Sequence, residues 1–504
     1  MNTTDAPIEK IVILGGGTAG WLAAATIGNI FKDTSMKIEV VESDDISIVG
    51  VGEATIPPLI NILESLGIDL VDFIKETQAS FKLGIKFEDW GTVGESYFHP
   101  FGTLGQSIDG FDFYQCWLKC KAENDNTPLM AHSPESVLAE QGKFFYPHKA
   151  KNTPLSRAYY ALHLDSSLAG KYLRKFSENI GVKRTEGLVE EVTLHDNGNI
   201  NNLILQNGKR IAADFFIDCS GFHGKLIEKA LNTGYESWAH YLPCNKAVTV
   251  QTKNVGATAP FTTSTAKEAG WMWNIPLQHR TGNGYVYCDK YISDDQAKET
   301  LLTCVKGEVL TEPRVISFTT GMRKKSWVKN CLSLGLAQGF IEPLESTAIH
   351  LVSKSIAHFI QLFPDKSCNP ALVDQFNQNV RDDYEEIRDF LVLHYCKTSR
   401  TDSEFWLWCK NMELPETLEQ KLKLFKASGA LNIKDEELFR PTSWYSVLEG
   451  LGVQPDNYNP TLNVWNTDKL KSILDQGQKG LTAIAKIQPS HDNFINEFCK
   501  AEKL

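Results

Sequence analysis

Six residues near the amino terminus have the types and spacing of a phosphate cradle. Gly15-Gly16-Gly17-Thr18-Ala19-Gly20 fits GxGxxG. In that pattern Gly15 permits a tight turn, Gly17 lets the backbone approach a pyrophosphate, and Gly20 lets the next helix pack on its strand. The helix start then offers unpaired N–H groups to phosphate oxygens, with Gly16 and Ala19 completing the cradle. An acid, Glu42, stands 22 residues after Gly20 and closes the next apolar run, where a carboxylate reaches a ribose hydroxyl. The hexapeptide alone is weak evidence. A strand before it, a helix after it and an acid at this spacing make it a strong dinucleotide signal.

The elements that must position this chemistry are readable in outline. Ile11–Leu14 is a buried strand, a helix runs to Ile30, and Lys37–Glu42 is the next strand, a βαβ unit. Residues 166–180 have helical periodicity. Leu188–Leu194 and Ile200–Leu205 alternate around the turn Asp196-Asn197-Gly198-Asn199, as hairpin strands do. A strand Asp214–Asp218 ends in Cys219-Ser220-Gly221, and residues 241–330 read as mostly short strands. Helices dominate from Pro343, with a long amphipathic run from Pro370 to Tyr395. The expected fold class is α/β, a Rossmann-type dinucleotide-binding body over residues 1–365. Substrate-facing insertions fall at about 95–165 and 240–300, and a mainly helical module covers 366–504.

Composition excludes several functions. Sixty-two acids against 51 Lys and Arg give a net charge of −11, which disfavours nucleic acid and anionic membranes as partners. The uncharged stretch 11–30 has the length of a membrane span, but three consecutive glycines oppose a helix there, so it reads as a cytoplasmic strand–turn–helix. The 11 cysteines are odd in number and widely spaced; Cys116 and Cys120 are the closest pair, with no zinc pattern around them. They read as free thiols in a reducing compartment, with no metal site.

Further segments carry a resemblance. Ile211–Gly221 looks like the late strand by which FAD-dependent enzymes of the monooxygenase type return to the dinucleotide, and no second GxGxxG offers a nicotinamide site. Gly50-Val51-Gly52-Glu53-Ala54-Thr55-Ile56-Pro57, the WxWxIP segment Gly270–Pro276, and Phe340-Ile341-Glu342-Pro343-Leu344-Glu345-Ser346-Thr347 then resemble the flavin-dependent tryptophan halogenases, from about residue 8 to 410. That resemblance includes His394-Tyr395 and Thr398-Ser399-Arg400.

The resemblance implies a chemistry. FADH2 from a separate NAD(P)H-dependent flavin reductase reacts with O2 to a flavin hydroperoxide. Chloride or bromide attacks it, and hypohalous acid passes through a tunnel to an aromatic substrate. By correspondence, Lys82 in Phe81-Lys82 is the catalytic lysine rather than Lys86, and Glu345 is the catalytic acid with Glu342 as its competitor. Ser346 orients Lys82 or the substrate. Strand alternation places Lys82, Gly84 and Lys86 on one face. The halide binds backbone N–H groups at Thr347 and Ala348; the family commonly has Gly at the latter, so alanine there is costly if the position needs φ > 0. Trp271 and Trp273 are architectural walls of the flavin and tunnel. FAD contacts map onto Glu53, Ala54, Val189 and Leu336, the last standing where monooxygenases usually carry Asp. A homodimer fits the family.

The substrate end diverges. Tyr97–Gly102 matches the family's sandwiching segment, so His99 and Phe101 stack on a flat ring, with Ile85 and Trp444 as further substrate candidates. Residues 411–443, where tryptophan halogenases carry an aromatic-rich lid, are mostly a charged helix (Thr417–Lys426) and a linker. This predicts a more open pocket that takes indole or an indole derivative in preference to free tryptophan. An aromatic hydroxylase and a non-catalytic flavin-binding protein are the alternatives. A Leu at 336, Lys82 and WxWxIP argue against the first, and Lys82 with Glu345 against the second.

Overall fold

The computed structural model describes residues 6–45 and 52–503. Gly50 and Val51 of the motif above lie outside them. The nucleotide-binding layer is a six-stranded sheet. Its central strand Lys10–Leu14 pairs in parallel with Phe215–Asp218 on one side and Lys37–Glu42 on the other. Cys331–Ser333 and Lys183–Glu186 extend it in parallel, and Trp327–Val328 closes one edge antiparallel. Val12, Ile13 and Val40 have no solvent exposure, as continuous apolar runs in a parallel sheet require. Helices Thr18–Phe31, Ser166–Asn179 and Ala348–Gln361 pack together on this layer. The fold is mixed α/β.

A second sheet positions the substrate side. Its seven strands run in the order Arg314–Ser317, Lys246–Thr252, Thr281–Tyr287, Gly270–Pro276, Thr262–Lys267, Gly84–Glu88 and Ser96–Pro100. A third sheet, in the order Gly52–Ala54, Ala161–Asp165 and Ser80–Lys82, is interleaved with them in the chain. The continuous strand expected through Lys82 and Lys86 is therefore two strands in two sheets. The break is at Leu83, whose N–H donates to the Pro260 carbonyl while its own carbonyl accepts from Phe101 N. Lys82 is fully buried, whereas Lys86 is half-exposed and paired with Glu88 at 2.8 Å.

The hairpin Val189–Leu194/Ile200–Leu205 forms as its turn chemistry predicts. The stretch 241–330 departs from expectation in containing a helix, Asp294–Cys304, started by a capping box between Ser293 and Gln296. Helices Pro370–Cys396, Glu404–Lys410, Glu416–Ser428, Pro441–Gly450, Thr467–Lys486 and His491–Phe498 build the carboxy-terminal part. One core cluster runs from Ile8 to Cys499, so no gap in packing marks residue 365. Among the described residues no helix is long and apolar enough to cross a membrane, and no His/Cys/Asp/Glu group has metal-site geometry. The 11 cysteines are free thiols.

Candidate active site

The fingerprint turn opens on a cavity of about 1350 Å³. Gly15, Gly16, Gly17, Ala19, Glu42, Glu53, Ala54, Val189, Trp271, Trp273 and Leu336 all line it. Gly15 has φ +118°, and a Cβ there would come within 2.2 Å of the Cys219 carbonyl oxygen. At Gly20 a Cβ would meet the Gly15 carbonyl oxygen at 1.9 Å, the close helix–strand packing expected. A Cβ at Gly17 would meet nothing within 4 Å, so the space beside it is left for something other than protein. That opening, at a helix N-terminus, fits a pyrophosphate, and a cavity of this volume has room for FAD.

Glu42 is anchored in advance. Its Oε1 accepts from Arg184 Nε at 2.5 Å and its Oε2 from Trp21 Nε1 at 3.3 Å. Each oxygen keeps a second lone pair for a ribose hydroxyl. Removal from bulk water raises the Glu53 carboxyl to about 7.

Trp271 and Trp273 are adjacent, with ring centroids 6.1 Å apart. Trp271 Nε1 donates to Glu342 Oε2 at 3.3 Å, and burial raises the Glu342 carboxyl to about 7 against the donors Tyr395, Trp271 and Cys244. Glu342 thus braces the tryptophan wall, while Glu345 points elsewhere.

The short turn Pro343–Glu345 ends at Ser346, whose φ of 61° and ψ of 36° are left-handed. This reverses the chain so that Glu345 faces the Gly84–Pro100 strands while Ser346 and Ala348 face the flavin cavity. The strained position is Ser346, not Ala348. Ala348 opens a regular helix, so a β-carbon costs nothing there and the concern over the missing glycine falls away. At this helix start the N–H groups of Thr347 and Ala348 have no carbonyl partner within the helix, a geometry suited to an anion.

Lys82 Nζ donates to Ser346 Oγ at 2.9 Å and to the Thr55 carbonyl at 3.0 Å, and lies 5.0 Å from the centre of the Phe101 ring. Burial lowers its ammonium to about 7, against the opposing pull of the Glu345 carboxylate. Glu345 is equally buried. His99 Nδ1 lies 3.0 and 2.9 Å from its two oxygens. His394 Nε2 approaches Oε1 at 2.9 Å, at an angle short of a hydrogen bond. Burial alone would raise this carboxyl; His99 first, then His394, hold it down at about 2. Tyr97 Oη in turn meets His394 Nδ1 at 2.8 Å.

The structure brings Lys82, Phe101, Ser346, Glu345 and His99 together, with Ile85 directly opposite His99 across the strand pair. His99 meets the acid directly as well as facing the aromatic side, where Phe390 and Phe439 lie 5.5 and 6.1 Å away. Trp444 packs edge-on against Phe390 at 5.2 Å. This side is closed rather than open: Phe439 stacks on Phe390 at 3.8 Å, and Trp444 is 1% exposed. The charged helix Glu416–Ser428 does not remove this closure. The chain returns after it, Leu438 N donates to Glu386 at 2.7 Å, and Phe439 is set down over the site. His394, Tyr97, Phe390 and Phe439 have no role in the sequence reading. Tyr97 and His394 stand in segments that carry the resemblance without a role following from it, and the apolar run Phe390–Leu393 on a helix otherwise amphipathic is the sequence signal for Phe390.

Comparison with known proteins agrees with this architecture. The family model "Tryptophan halogenase" matches residues 10–467. Tryptophan 7-halogenase RebH of Lentzea aerocolonigenes is 33% identical, over 90% of this chain and 92% of its own. The structure of BrvH, a flavin-dependent halogenase from Brevundimonas sp. BAL3, superposes with a TM-score of 0.94 at 40% identity, covering 97% of this chain and 99% of that one. Xcc4156, a flavin-dependent halogenase from Xanthomonas campestris, gives 0.95 at 39% identity over 99% and 100%. With the flavin cavity and the Lys82 chamber in one continuous fold, this chain belongs to the tryptophan halogenase family and is a flavin-dependent halogenase.

Proposed function

We propose that this enzyme places chlorine or bromine on an electron-rich, indole-type ring in preference to free tryptophan, with Lys82 presenting the electrophilic halogen and Glu345 removing the ring proton. One observation carries the roles: a buried lysine, anchored on Ser346 at the edge of the flavin cavity, faces a buried glutamate held as an anion by imidazoles. Reduced flavin in the cavity supplies the oxidation of halide by O2, and a separate NAD(P)H-dependent flavin reductase supplies the reduced flavin.

The chain's own residues do the rest. Thr347 and Ala348 N–H groups hold the halide, and Trp271 and Trp273 keep the aromatic away from the flavin. Hypohalous acid passes Ile341 and Pro343, which line the cavity beside Ser346, to reach Lys82. An ammonium has three N–H donors. Two are taken by Ser346 and Thr55, and the third donates to the hypohalous oxygen. The ring carbon attacks the halogen, the O–X bond breaks, and the departing hydroxide takes the Lys82 proton to become water. The ring proton goes to Glu345, a base within a dry, preorganised chamber.

Two features favour a substrate without the amino-acid end. The cation beside the aromatic cluster, Lys421 over the Trp444 ring at 5.0 Å, is already paired with Glu437 at 2.6 Å and so is not left for a carboxylate. The relatives at 39–40% identity are described as flavin-dependent halogenases, whereas RebH, a tryptophan halogenase, stands at 33%. The test is a mass-spectrometric product screen with a flavin reductase, NADH, FAD, O2 and chloride or bromide, offering indole and tryptophan together. A halogen isotope pattern mainly on indole is expected; a higher kcat/KM for tryptophan overturns the preference. Lys82→Ala is expected to oxidise FADH2 normally and yield no halogenated product. Normal halogenation by that variant removes Lys82 from the mechanism.

A further inference from the structure

The strand that carries Lys82 is an edge. Ser80–Lys82 pairs on one side only, with Ala161–Asp165. Its other side presents backbone groups at alternate residues, as any strand does. An unpaired buried backbone group loses its water partners without replacement, so each needs a partner. The Ala79 carbonyl accepts from the Gln278 side chain at 2.7 Å, and Leu83 N donates to the Pro260 carbonyl. Phe81 N, the group next to Lys82, donates to Nε2 of His491 at 3.1 Å. This imidazole is 410 residues away in sequence, and it lies beyond residue 467, where the family match ends.

His491 is built to be an acceptor. Its Nδ1 lies 2.9 Å from the Thr258 carbonyl, which cannot donate, so Nδ1 carries the proton and Nε2 is free to accept. It is 1% exposed, and burial holds its pKa down at about 4, so the ring is neutral in ordinary buffers. Its helix, His491–Phe498, is itself fastened: Ser490 caps it, Thr258 N donates to Asp492, and His491 N donates to the Gly142 carbonyl. Phe494 packs edge-on to Phe81 at 5.5 Å.

We propose that His491 is a positioning residue for Lys82: through the Phe81 N–H it fixes the backbone from which the ammonium reaches Ser346 and Thr55. This rests on the assignment of Lys82 as the halogen-presenting residue. The lysine's stem starts one residue from the clamped amide, and displacements near 1 Å at a reacting group cost about 10²-fold in rate.

Two substitutions separate the clamp from the mere anchoring of the tail. In His491→Asn the side-chain amide can still donate to Thr258 but has no acceptor at the Nε2 position. In His491→Gln the longer side chain restores an acceptor to Phe81 N. The readout is halogenated product per FADH2 oxidised, measured alongside KM for the aromatic and the thermal midpoint. His491→Asn is expected to lose about tenfold in that ratio, with FADH2 oxidation and KM unchanged, and His491→Gln to recover most of it. An unchanged ratio in His491→Asn, or an equal fall of the ratio in both variants, overturns the proposal. So does a parallel fall of flavin oxidation and halogenation, which is a folding defect. Lys82→Ala, assayed beside them, separates the two ideas. If it halogenates normally, the lysine assignment fails; if it is inactive while His491→Asn is normal, only the clamp fails.

Discussion

The two chambers that meet at Ser346 are built on opposite principles. The flavin side is a wide cavity whose phosphate end is made of backbone, with glycines leaving room and a helix start supplying donors. The Lys82 side is closed and filled with side chains: Lys82 has no solvent exposure, Glu345 has 1%, Phe101 lies over the ammonium, and Phe390 and Phe439 pack beside His99. One side has the room for a large cofactor and the other tunes ionisation by burial. A hydrophobic, closed chamber holds a reactive oxidant beside few competing nucleophiles, and it makes each charge in it count for more.

The largest expected break in that contrast is on the closed side. Glu345→Gln keeps the shape of the chamber but removes the base, so kcat for halogenation is expected to fall by about 10²-fold or more. KM for the aromatic and FADH2 oxidation should hold. Steady-state kinetics with both products measured checks this, and an unchanged kcat moves proton removal to another group. A comparable break confined to the open side is Gly17→Val. The position has ordinary φ and empty space beside it, so the apoprotein should melt where the parent does. The added methyls enter the pyrophosphate space, and FAD affinity is expected to weaken by about 10²-fold, as fluorescence titration would show; each tenfold corresponds to about 1.4 kcal/mol.

The same contrast explains what the sequence reveals. The open side is written locally: glycines at fixed offsets, an apolar strand before them and Glu42 after, because backbone geometry restricts which residues fit. The closed side is not local. The Lys82–Ser346 contact spans 264 residues and the His99–Glu345 contact 246. Neither periodicity nor spacing encodes such pairs, so only motif resemblance brings Lys82, Glu345 and Ser346 forward. His394 sits on a helix whose extent is plain from its pattern, yet nothing in that pattern says its imidazole meets Glu345. Phe439 shows the reverse failure. A charged helix before it suggests an open pocket, but the helix only sets the path on which the chain returns. The helix Asp294–Cys304 is signalled locally by the Ser293/Gln296 box, a signal that the apolar strands around it outweigh.

Ionisation sharpens the comparison further. Burial places the Lys82 ammonium near 7, low for a lysine. If its third N–H drives the transfer, the protonated form is the active one. Product per FADH2 oxidised should then be flat below pH 7 and fall about tenfold per unit above it, as one ionisation requires. FADH2 oxidation, carried out on the open side, should not follow that curve. A ratio that rises with pH instead assigns the transfer to the neutral amine.

The smallest expected effect lies at the seam. Ser346 both holds Lys82 through its hydroxyl and turns the chain in a left-handed conformation. Those two roles separate by substitution. Ser346→Gly loses the hydroxyl and relieves the left-handed strain of about 1–2 kcal/mol, whereas Ser346→Ala loses the same hydrogen bond and keeps the strain the serine already carries. A lost hydrogen bond to a charged group is worth about 1.5–3 kcal/mol before relaxation. Lys82 keeps Thr55, so the fall in product per FADH2 oxidised should be only about fivefold, and alike in the two variants. The thermal midpoint should drop more in Ser346→Ala than in Ser346→Gly, because only the alanine carries the backbone strain. Equal midpoints would mean that the turn is held by its neighbours rather than by the residue at its centre. Full coupling in both would mean that Thr55 alone suffices to aim the lysine, and that the two chambers communicate through space rather than through this serine.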